Sequence, residues 1–331
     1  MHRHYYEIEA KSHEEAGRLL GKTFGEFVRE DVAYMRTTPH WEKKVKAARP
    51  YLTQTQEFFP QYAAELESYA MAANVSIADL WALAIEDELE DEEREKCTTV
   101  VTNGGTLVAH NEDWDEDAIE AVCLLKKTIG KLTLFEIYYT SVPLGGCAIT
   151  INSNGYVQAI NSLPPMPRQA GIPKNVIARF LSETSDPHGD LAKLRSLPRA
   201  SGYNHLLVGP GGMVLDAECP VNHEVIAEPT LPFAHTNHFL SPELAHYNGL
   251  NPGKSTLQRH ASACRLARPY MSIEALMELT GNTRDGDKKS ILNKNTVARI
   301  VVDLENRIAK AWLRREKKAG WVDYSLDFIK G

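Results

Sequence analysis

The chain has 331 residues, of which 43% are hydrophobic and 24% charged, and its formal net charge at pH 7 is -7. This length holds one large domain or two modest ones, and the acidic balance argues against a nucleic-acid-binding surface. Because no apolar run is long enough to span a bilayer and residues 1–6 lack a signal-peptide core, we expect a cytoplasmic protein without membrane partners.

Residues 1–96 are predicted to form a helical segment. Ser12 and Glu15 have the spacing of a capping box, and apolar residues then recur at helical spacing as far as Val28. Ser76 begins a further helix that runs into an acidic stretch over residues 86–95. Such a stretch is typical of a solvated segment, and solvated segments tolerate cleavage of the chain.

From residue 97 onwards the pattern changes to strands. The β-branched run at 98–102, the Asn103-Gly104 turn and the strand at 106–110 predict a β-hairpin. Further strands are predicted at 122–126, 132–140, 146–152, 156–161, 205–208, 214–218, 295–303 and 307–313. Helices are predicted at 174–183, 189–197, 256–267 and 272–280. Blocks of helices and strands in this order favour a layered α+β fold over alternating βαβ units.

Cys97 is one of five cysteines, and it stands directly between the acidic stretch and the hairpin. The odd number and the absence of a C-x-x-C pair exclude a complete disulfide framework and the usual zinc ribbons. If the Lys96–Cys97 bond is cut, Cys97 carries both a thiol and a free α-amine, so one residue supplies nucleophile and base. The thiol can make this cut itself by attacking the Lys96 carbonyl.

The chain resembles the isopenicillin-N acyltransferase family, the acyl-coenzyme A:6-aminopenicillanic acid acyltransferases among the N-terminal nucleophile (Ntn) hydrolases. It is more distantly similar to bile-salt hydrolases and penicillin V acylases. The motifs that carry the resemblance are Cys97-Thr98-Thr99, Asn111 to Asp115, Asn152-Ser153-Asn154-Gly155, Asn161-Ser162-Leu163-Pro164, Asn204 before an apolar strand, Thr236-Asn237-His238, and Ser255 with Arg259. One departure is Lys96, where the best-known members have glycine before the nucleophile.

The resemblance implies a four-layer αββα Ntn-hydrolase sandwich. Residues 1–96 would be a helical pro-segment that becomes the α chain, and residues 97–331 would be the catalytic β chain. The catalytic residues that it implies are Cys97, Asp115, Asn161, Asn204 and Arg259, with self-cleavage between Lys96 and Cys97. Secondary candidates are Asp113, which is the fallback for the site carboxylate, Asn111 and His238.

The implied function is a self-processing enzyme that hydrolyses or transfers the acyl group of a small linear N-acyl amide through a Cys97 thioester. No cofactor or metal is expected, and the partners would be an amide or acyl-CoA-like substrate and the chain's own pro-segment. The sequence leaves a homo-oligomer open. The acidic residues 112–117 suggest a substrate that bears an amine.

Two other functions remain open from the sequence. His235, His238 and Glu218 could serve a metal-dependent hydrolase, although i, i+3 histidines on a loop lack a recognised third-ligand spacing. The chain could also be a non-catalytic small-ligand-binding protein with the same fold.

Overall fold

The computed structural model describes residues 2–89, 97–164, 168–249 and 253–330. The helices are α1 (His13–Met35), α2 (Trp41–Phe58), α3 (Pro60–Ala73), α4 (Ile77–Ala84), α5 (Glu86–Leu89), α6 (Lys174–Ser182), α7 (Pro187–Lys193), α8 (Lys254–Leu266) and α9 (Ile273–Thr280). The strands are β1 (Tyr5–Ala10), β2 (Cys97–Thr102), β3 (Leu107–Asp113), β4 (Val122–Ile129), β5 (Leu132–Tyr139), β6 (Ile149–Asn152), β7 (Val157–Ser162), β8 (Tyr203–Gly209), β9 (Met213–Glu218), β10 (Val225–Ala227), β11 (Phe233–His235), β12 (Thr296–Asp303), β13 (Ile308–Leu313) and β14 (Val322–Ser325).

The strands form two sheets. One sheet has eight strands in the order β1-β4-β5-β6-β7-β8-β9-β10, and the other has six in the order β11-β2-β3-β12-β13-β14. The predicted hairpin is confirmed, since β2 and β3 pair antiparallel with Thr102 opposite Leu107. This register matters for the site because it also puts Cys97 opposite Glu112 and Thr99 opposite His110.

Side-chain alternation along β2 separates two apolar cores. Val101 packs between the sheets, in a core that includes Phe135. Its neighbour Val100 faces the other way and packs with Ala263 of α8 and Leu276 of α9. Because successive strand residues point to opposite faces, Cys97 and Thr99 share the inter-sheet face with Val101, whereas Thr98 faces α8.

A third core covers the remaining face of the eight-stranded sheet. There the helices α1 and α3 contribute Phe24 and Leu66, which pack with Leu125 of β4 and Tyr138 of β5. The layers therefore run helix, sheet, sheet, helix, and the expected αββα sandwich is confirmed. Among the described residues, no helix combines the length and apolarity needed to cross a membrane.

The N-terminal segment differs from the helical prediction at its start. Tyr5–Ala10 is a strand, β1, and it pairs parallel with β4, so that Tyr5 lies opposite Leu124. The helices that follow pack closely on one another, because a Cβ atom at Gly17 of α1 would lie 1.9 Å from the backbone oxygen of Glu65 in α3. Residues 2–89 thus supply an edge strand as well as most of one helical layer. The proposed cleavage residue Lys96 lies outside the described residues.

Candidate active site

Cys97 lies at the first position of β2, buried between the two sheets with 2% of its surface exposed. Its thiol donates a hydrogen bond to Glu112 Oε2 over 3.1 Å. The Glu112 carboxylate also accepts a 2.7 Å hydrogen bond at Oε1 from the hydroxyl of Tyr139. The thiol is therefore in direct contact with a buried carboxylate, because the register of the hairpin places Glu112 opposite Cys97.

The backbone of Cys97 is held on both sides by side chains. Its N–H donates to Asn237 Oδ1 over 3.2 Å, and the Asn237 amide is fixed in turn by a 3.0 Å bond from Nδ2 to the Ser162 carbonyl. Arg259 Nη1 donates to the Cys97 carbonyl over 2.5 Å and to Thr98 Oγ1 over 2.8 Å. Arg259 Nη2 donates to Asn237 Oδ1 over 2.7 Å. Asn237 and Arg259 thus hold the peptide groups of the proposed nucleophile.

A chain of hydrogen bonds continues from Glu112 across the inter-sheet face. His110 Nε2 lies 3.0 Å from Glu112 Oε2, and His110 Nδ1 lies 2.9 Å from Thr99 Oγ1. The Thr99 hydroxyl donates to Asn161 Oδ1 over 3.1 Å. We call these five residues, Cys97, Thr99, His110, Glu112 and Asn161, the thiol cluster.

Two asparagine side chains, one in this cluster and one on the neighbouring strand, carry polar atoms that form no hydrogen bond with any described residue. Asn161 Nδ2 and Asn204 Oδ1 are buried without a hydrogen-bond partner. Asn204 Nδ2 donates to Asp216 Oδ1 over 2.9 Å, and Asn204 lies opposite Asn161 in the pairing of β7 with β8. A buried polar group without a partner costs about 1–3 kcal/mol. Since Thr99 holds the oxygen of the Asn161 amide, its N–H is left available for a developing oxyanion.

The two candidate carboxylates occupy different environments. Asp113, the last residue of β3, is buried, with Oδ2 accepting a 2.7 Å bond from Asn293 Nδ2 and lying 4.0 Å from Arg259 Nη1. Burial, which outweighs the opposing charge of Arg259, raises the pKa of Asp113 to about 6. Asp115 is exposed and lies beyond the end of the strand. The structure therefore puts the fallback Asp113, and not Asp115, beside Arg259.

Asn111 makes contacts that join two parts of the chain. Its Nδ2 donates to the carbonyls of Thr280 and Ile291 over 2.9 and 2.8 Å. These bonds tie β3 to the end of α9 and the segment that follows it. Asn111 points to the face of the sheet opposite the thiol, because the residues that flank it, His110 and Glu112, belong to the thiol cluster.

A cavity with a volume of about 520 Å³ adjoins the site, and both Asp115 and Tyr139 line it. Because the Tyr139 hydroxyl bonds to Glu112, the cavity begins one side chain away from the thiol. Its charged lining residues within the described part of the chain are Asp31, Lys44, Glu86, Asp87, Asp115 and Asp117. Burial raises the pKa of Asp31, and nearby carboxylates that include Asp117 and Glu86 raise it further. The described part of the cavity lining is therefore acidic.

The residues expected for a metal hydrolase do not form the expected set. Glu218 and His235 come together with Asp216, with ligand atoms within 4.8 Å of one another. His235 Nδ1 lies 2.8 Å from the Thr236 carbonyl and Nε2 lies 3.2 Å from Glu218 Oε1. Each of these two contacts needs a proton on its ring nitrogen. The neighbouring carboxylates outweigh the effect of burial and raise the pKa of His235. We therefore describe this group as an ion-paired network.

His238 lies apart from that group. Its Nδ1 is 3.2 Å from Thr236 Oγ1 and 3.1 Å from Thr256 Oγ1. Burial, together with the nearby His260 and His235, lowers the pKa of His238 to about 4. His238 thus has hydroxyl partners on both Thr236 and Thr256, and it is not part of the group formed by Asp216, Glu218 and His235.

Four residues of this site did not emerge as catalytic candidates from the sequence: Thr99, His110, Glu112 and Asn237. A signal for three of them was available in the hairpin. If Thr102 pairs with Leu107, then Thr99 pairs with His110 and Cys97 with Glu112. Asn237 lies 140 residues from Cys97 in the chain, and only its place in the Thr-Asn-His motif marked it.

Comparisons with known proteins bear on this site. Residues 100–318 match the family model described as acyl-coenzyme A:6-aminopenicillanic acid acyl-transferase. The chain is 26% identical over 204 residues to a beta-alanyl-dopamine/carcinine hydrolase of Drosophila melanogaster. That match covers 53% of each protein, so the chain spans about half the length of this curated relative.

Solved structures with a similar fold were also found. A penicillin V acylase from Agrobacterium tumefaciens aligns with a TM-score of 0.44 at 13% identity, covering 66% of this chain and 83% of the other. A mutant conjugated bile acid hydrolase from Clostridium perfringens aligns with a TM-score of 0.40 at 11% identity, covering 71% of this chain and 93% of the other.

Proposed function

The chain belongs to the acyl-coenzyme A:6-aminopenicillanic acid acyl-transferase family, and we propose that it is a self-processing cysteine N-terminal nucleophile enzyme. In this proposal it hydrolyses or transfers the acyl group of a small linear N-acyl amide. The observation that carries the proposal is the environment of Cys97, whose thiol, N–H and carbonyl are each held by a buried side chain. Ordinary structural cysteines act as small buried apolar side chains and need no such set of contacts.

Self-cleavage would use the same groups as catalysis. The Cys97 thiol attacks the Lys96 carbonyl, the peptide C–N bond breaks, and a thioester forms while the nitrogen gains a proton and becomes the α-amine. Water then hydrolyses the thioester, leaving a carboxylate on Lys96 and a free thiol on Cys97. The amine so formed is the nitrogen that now donates to Asn237 Oδ1. Asn237 would therefore hold it in the processed enzyme.

Catalysis would follow the same order on a substrate amide. Cys97 Sγ attacks the acyl carbonyl, and the thiol proton passes by way of the α-amine to the leaving amine. Asn161 Nδ2 donates to the oxyanion, which is the role of a preorganised amide donor. Water, or an acceptor amine, then takes the acyl group from the thioester and restores the thiol.

Other residues of the site would position these groups. Arg259 holds the Cys97 carbonyl and lies next to Asp113, which we now assign as the site carboxylate in place of Asp115. Asn204, held by Asp216, offers its free Oδ1 to an N–H of the substrate or of the α-amine. The charge of the cavity favours a substrate with an ammonium group, in line with the acidic residues noted in the sequence.

The experiment that tests the proposal is the intact mass of the purified protein under denaturing, reducing conditions. Wild type should give two fragments that divide between Lys96 and Cys97, and Cys97→Ala should give one full-length mass. The cleaved protein is then assayed on a panel of N-acyl amides, with and without amine acceptors. A full-length wild-type chain after long incubation, with no turnover of any amide, would contradict the proposal and favour a non-catalytic binding protein.

A further inference from the structure

Three side chains of the thiol cluster form a ligand set that the proposed reaction does not require. Cys97 Sγ, His110 Nε2 and Glu112 Oε2 all lie within 4.8 Å of one another. The distance from Oε2 is 3.1 Å to the sulfur and 3.0 Å to the nitrogen. Tetrahedral zinc holds thiolate, imidazole and carboxylate ligands roughly 3.3–3.6 Å apart, given its usual bond lengths. We propose that these three side chains bind a zinc ion and that bound zinc reversibly blocks the Cys97 thiol.

The residues around the three ligands support this site. Zinc-bound histidines usually engage a partner at the second ring nitrogen, and ligating carboxylates are themselves hydrogen-bonded. Here Thr99 Oγ1 lies 2.9 Å from His110 Nδ1, and the Tyr139 hydroxyl donates to the second oxygen of Glu112 over 2.7 Å. Thr99 and Tyr139 thus contact His110 and Glu112 at atoms other than the proposed ligand atoms Nε2 and Oε2.

The group of Asp216, Glu218 and His235 makes a useful contrast. Its ligand atoms are equally close together, but both oxygens of Glu218 already accept backbone N–H groups, from Leu240 and Ser241. A metal bound at Glu218 would compete with these two backbone donors for its oxygens, whereas the Tyr139 hydroxyl bonds Oε1 of Glu112 and not the proposed ligand atom Oε2.

The chemistry of binding is a ligand exchange without electron transfer. Zinc takes the place of the Cys97 thiol proton, which is released to solvent, and a Zn–S bond forms. His110 binds through the lone pair of Nε2 and releases any proton it carries there. The thiolate in this complex no longer attacks a carbonyl, so zinc acts as a reversible inhibitor. The three ligands are side-chain atoms, and the site is therefore independent of cleavage at Lys96.

The test uses the full chain and zinc or cobalt salts. After equilibrium dialysis against zinc in a buffer free of chelators, wild type should retain one equivalent, measured by elemental analysis. Cobalt in place of zinc should give a near-ultraviolet thiolate-to-metal charge-transfer band. Glu112→Gln and His110→Gln should weaken binding by more than the roughly 10–100-fold that loss of an outer partner costs, and Tyr139→Phe by an amount within that range.

Matched variants separate this site from adventitious binding. Cys97→Ser should lose the cobalt band, whereas Cys264→Ser, which removes an exposed thiol, and Glu218→Gln, in the other carboxylate–histidine group, should keep both band and stoichiometry. The proposal would be overturned if wild type retained no zinc, or if Cys97→Ser and Glu112→Gln each retained as much zinc as wild type. Failure to find an amide substrate would count against the proposed function and leave these metal measurements unaffected.

Discussion

Two buried clusters of charged and polar side chains lie on opposite faces of the eight-stranded sheet. The first is the thiol cluster, between the sheets. The second, which we call the helix–sheet cluster, consists of Glu65, Lys127, Glu136, Arg179 and Glu183 and lies beneath the helical layer. There Arg179 Nη2 is 2.6 Å from Glu183 Oε1 and 3.5 Å from Glu65 Oε2. Lys127 Nζ is 3.3 Å from Glu136 Oε1.

The clusters differ in how their buried groups are compensated. Each carboxylate of the helix–sheet cluster faces Lys127 or Arg179, and these contacts join α3, α6 and the sheet. The thiol cluster instead leaves Asn161 Nδ2 without a partner among the described residues. Glu65 Oε1 and Glu136 Oε1 accept no hydrogen bond from the described residues, but both lie in ion pairs with Lys127. An unpaired buried amide donor has no such compensation, and it costs stability unless a ligand uses it. We infer that the helix–sheet cluster serves assembly and that the thiol cluster serves chemistry.

The pKa values of buried carboxyls follow the same division. Burial tends to raise the pKa of Glu65, but Arg179 and Lys127 outweigh it and lower the pKa to about 2. Beside the thiol cluster, burial prevails and raises the pKa of Asp113 to about 6. The surroundings of Glu65 thus stabilise its ionised form, whereas those of Asp113 shift its balance towards the neutral acid.

The largest effect is expected from breaking the helix–sheet cluster. Arg179→Met removes the cation between Glu65 and Glu183 and leaves Glu183 without its ion-pair partner Arg179; removing one partner of a buried pair typically costs 3–5 kcal/mol. Urea unfolding of Arg179→Met, a control variant and wild type measures this loss of unfolding free energy. The matched control is Arg195→Met, which removes an exposed arginine paired with Glu224 and should cost about 0–1 kcal/mol. Equal losses in the two variants would remove the distinction between buried and exposed pairs.

The next effect is expected at the unpaired donor of the thiol cluster. Asn161→Asp keeps the oxygen that Thr99 bonds and removes the amide N–H, so kcat should fall about 10²–10³-fold with a much smaller change in KM. The measurement uses protein whose cleavage has been verified by mass, since the same donor would assist self-cleavage. Asn154→Ala, at the turn of the neighbouring hairpin, is the control and should leave kcat unchanged. An equal loss of kcat in both would assign Asn161 a structural role.

The hairpin and the layered architecture could be predicted from the sequence, because local turn chemistry and alternation encode them. The burial of Asp113 beside Arg259 could not be predicted. Asp113 is buried because β3 continues to that residue in its pairing with β12, where Thr296 lies opposite it, and such a long-range pairing leaves no local pattern. The edge strand β1 was missed for the same reason, since its partner β4 lies more than 100 residues away.

Glu112 was missed as a neighbour of the thiol for a different reason. It belongs to an acidic run, and acidic runs are normally solvated, so its burial depends on the exact register of β2 against β3. Once that register is known, the contact from Cys97 to Glu112 follows directly. The family motifs therefore marked Asn161 and Arg259 as candidates, while the position of Glu112 beside the thiol needed the register of the folded hairpin.

The pH dependence of stability is expected to have opposite signs in the two regions. The folded pKa of Asp113, about 6, lies above its reference value of 3.8, so its contribution to stability is present at low pH and is lost as the pH rises from 3.8 to 6. The folded pKa of Glu65, about 2, lies below its reference value of 4.5. Its contribution is complete above pH 4.5 and is lost as the pH falls towards 2.

The unfolding free energy of Asp113→Asn should therefore fall less between pH 4 and pH 6 than that of wild type, and the difference should be on the order of 2 kcal/mol. Glu65→Gln should leave that decline in place and reduce the loss below pH 4.5. Urea midpoints recorded across the range for both variants and wild type provide the measurement. A steeper decline between pH 4 and pH 6 in Asp113→Asn than in wild type would refute the assigned sign.

The smallest effect is expected in the acidic cavity that adjoins the thiol cluster. Asp117→Asn removes one exposed carboxylate from its wall, and an exposed charge contributes about 0.2–1 kcal/mol, so KM for an ammonium-bearing amide should rise about two- to fivefold. KM for an uncharged amide of the same shape should not change, and added salt should reduce the difference by screening. Asp327→Asn makes the same change in net charge on an exposed residue outside the cavity, and it controls for long-range electrostatics. Glu112→Gln is less selective, because this carboxylate contacts the thiol itself and its loss changes kcat as well. If Asp117→Asn raises KM equally for the charged and uncharged amides, the cavity does not select for charge, and the acidic wall has no role in substrate choice.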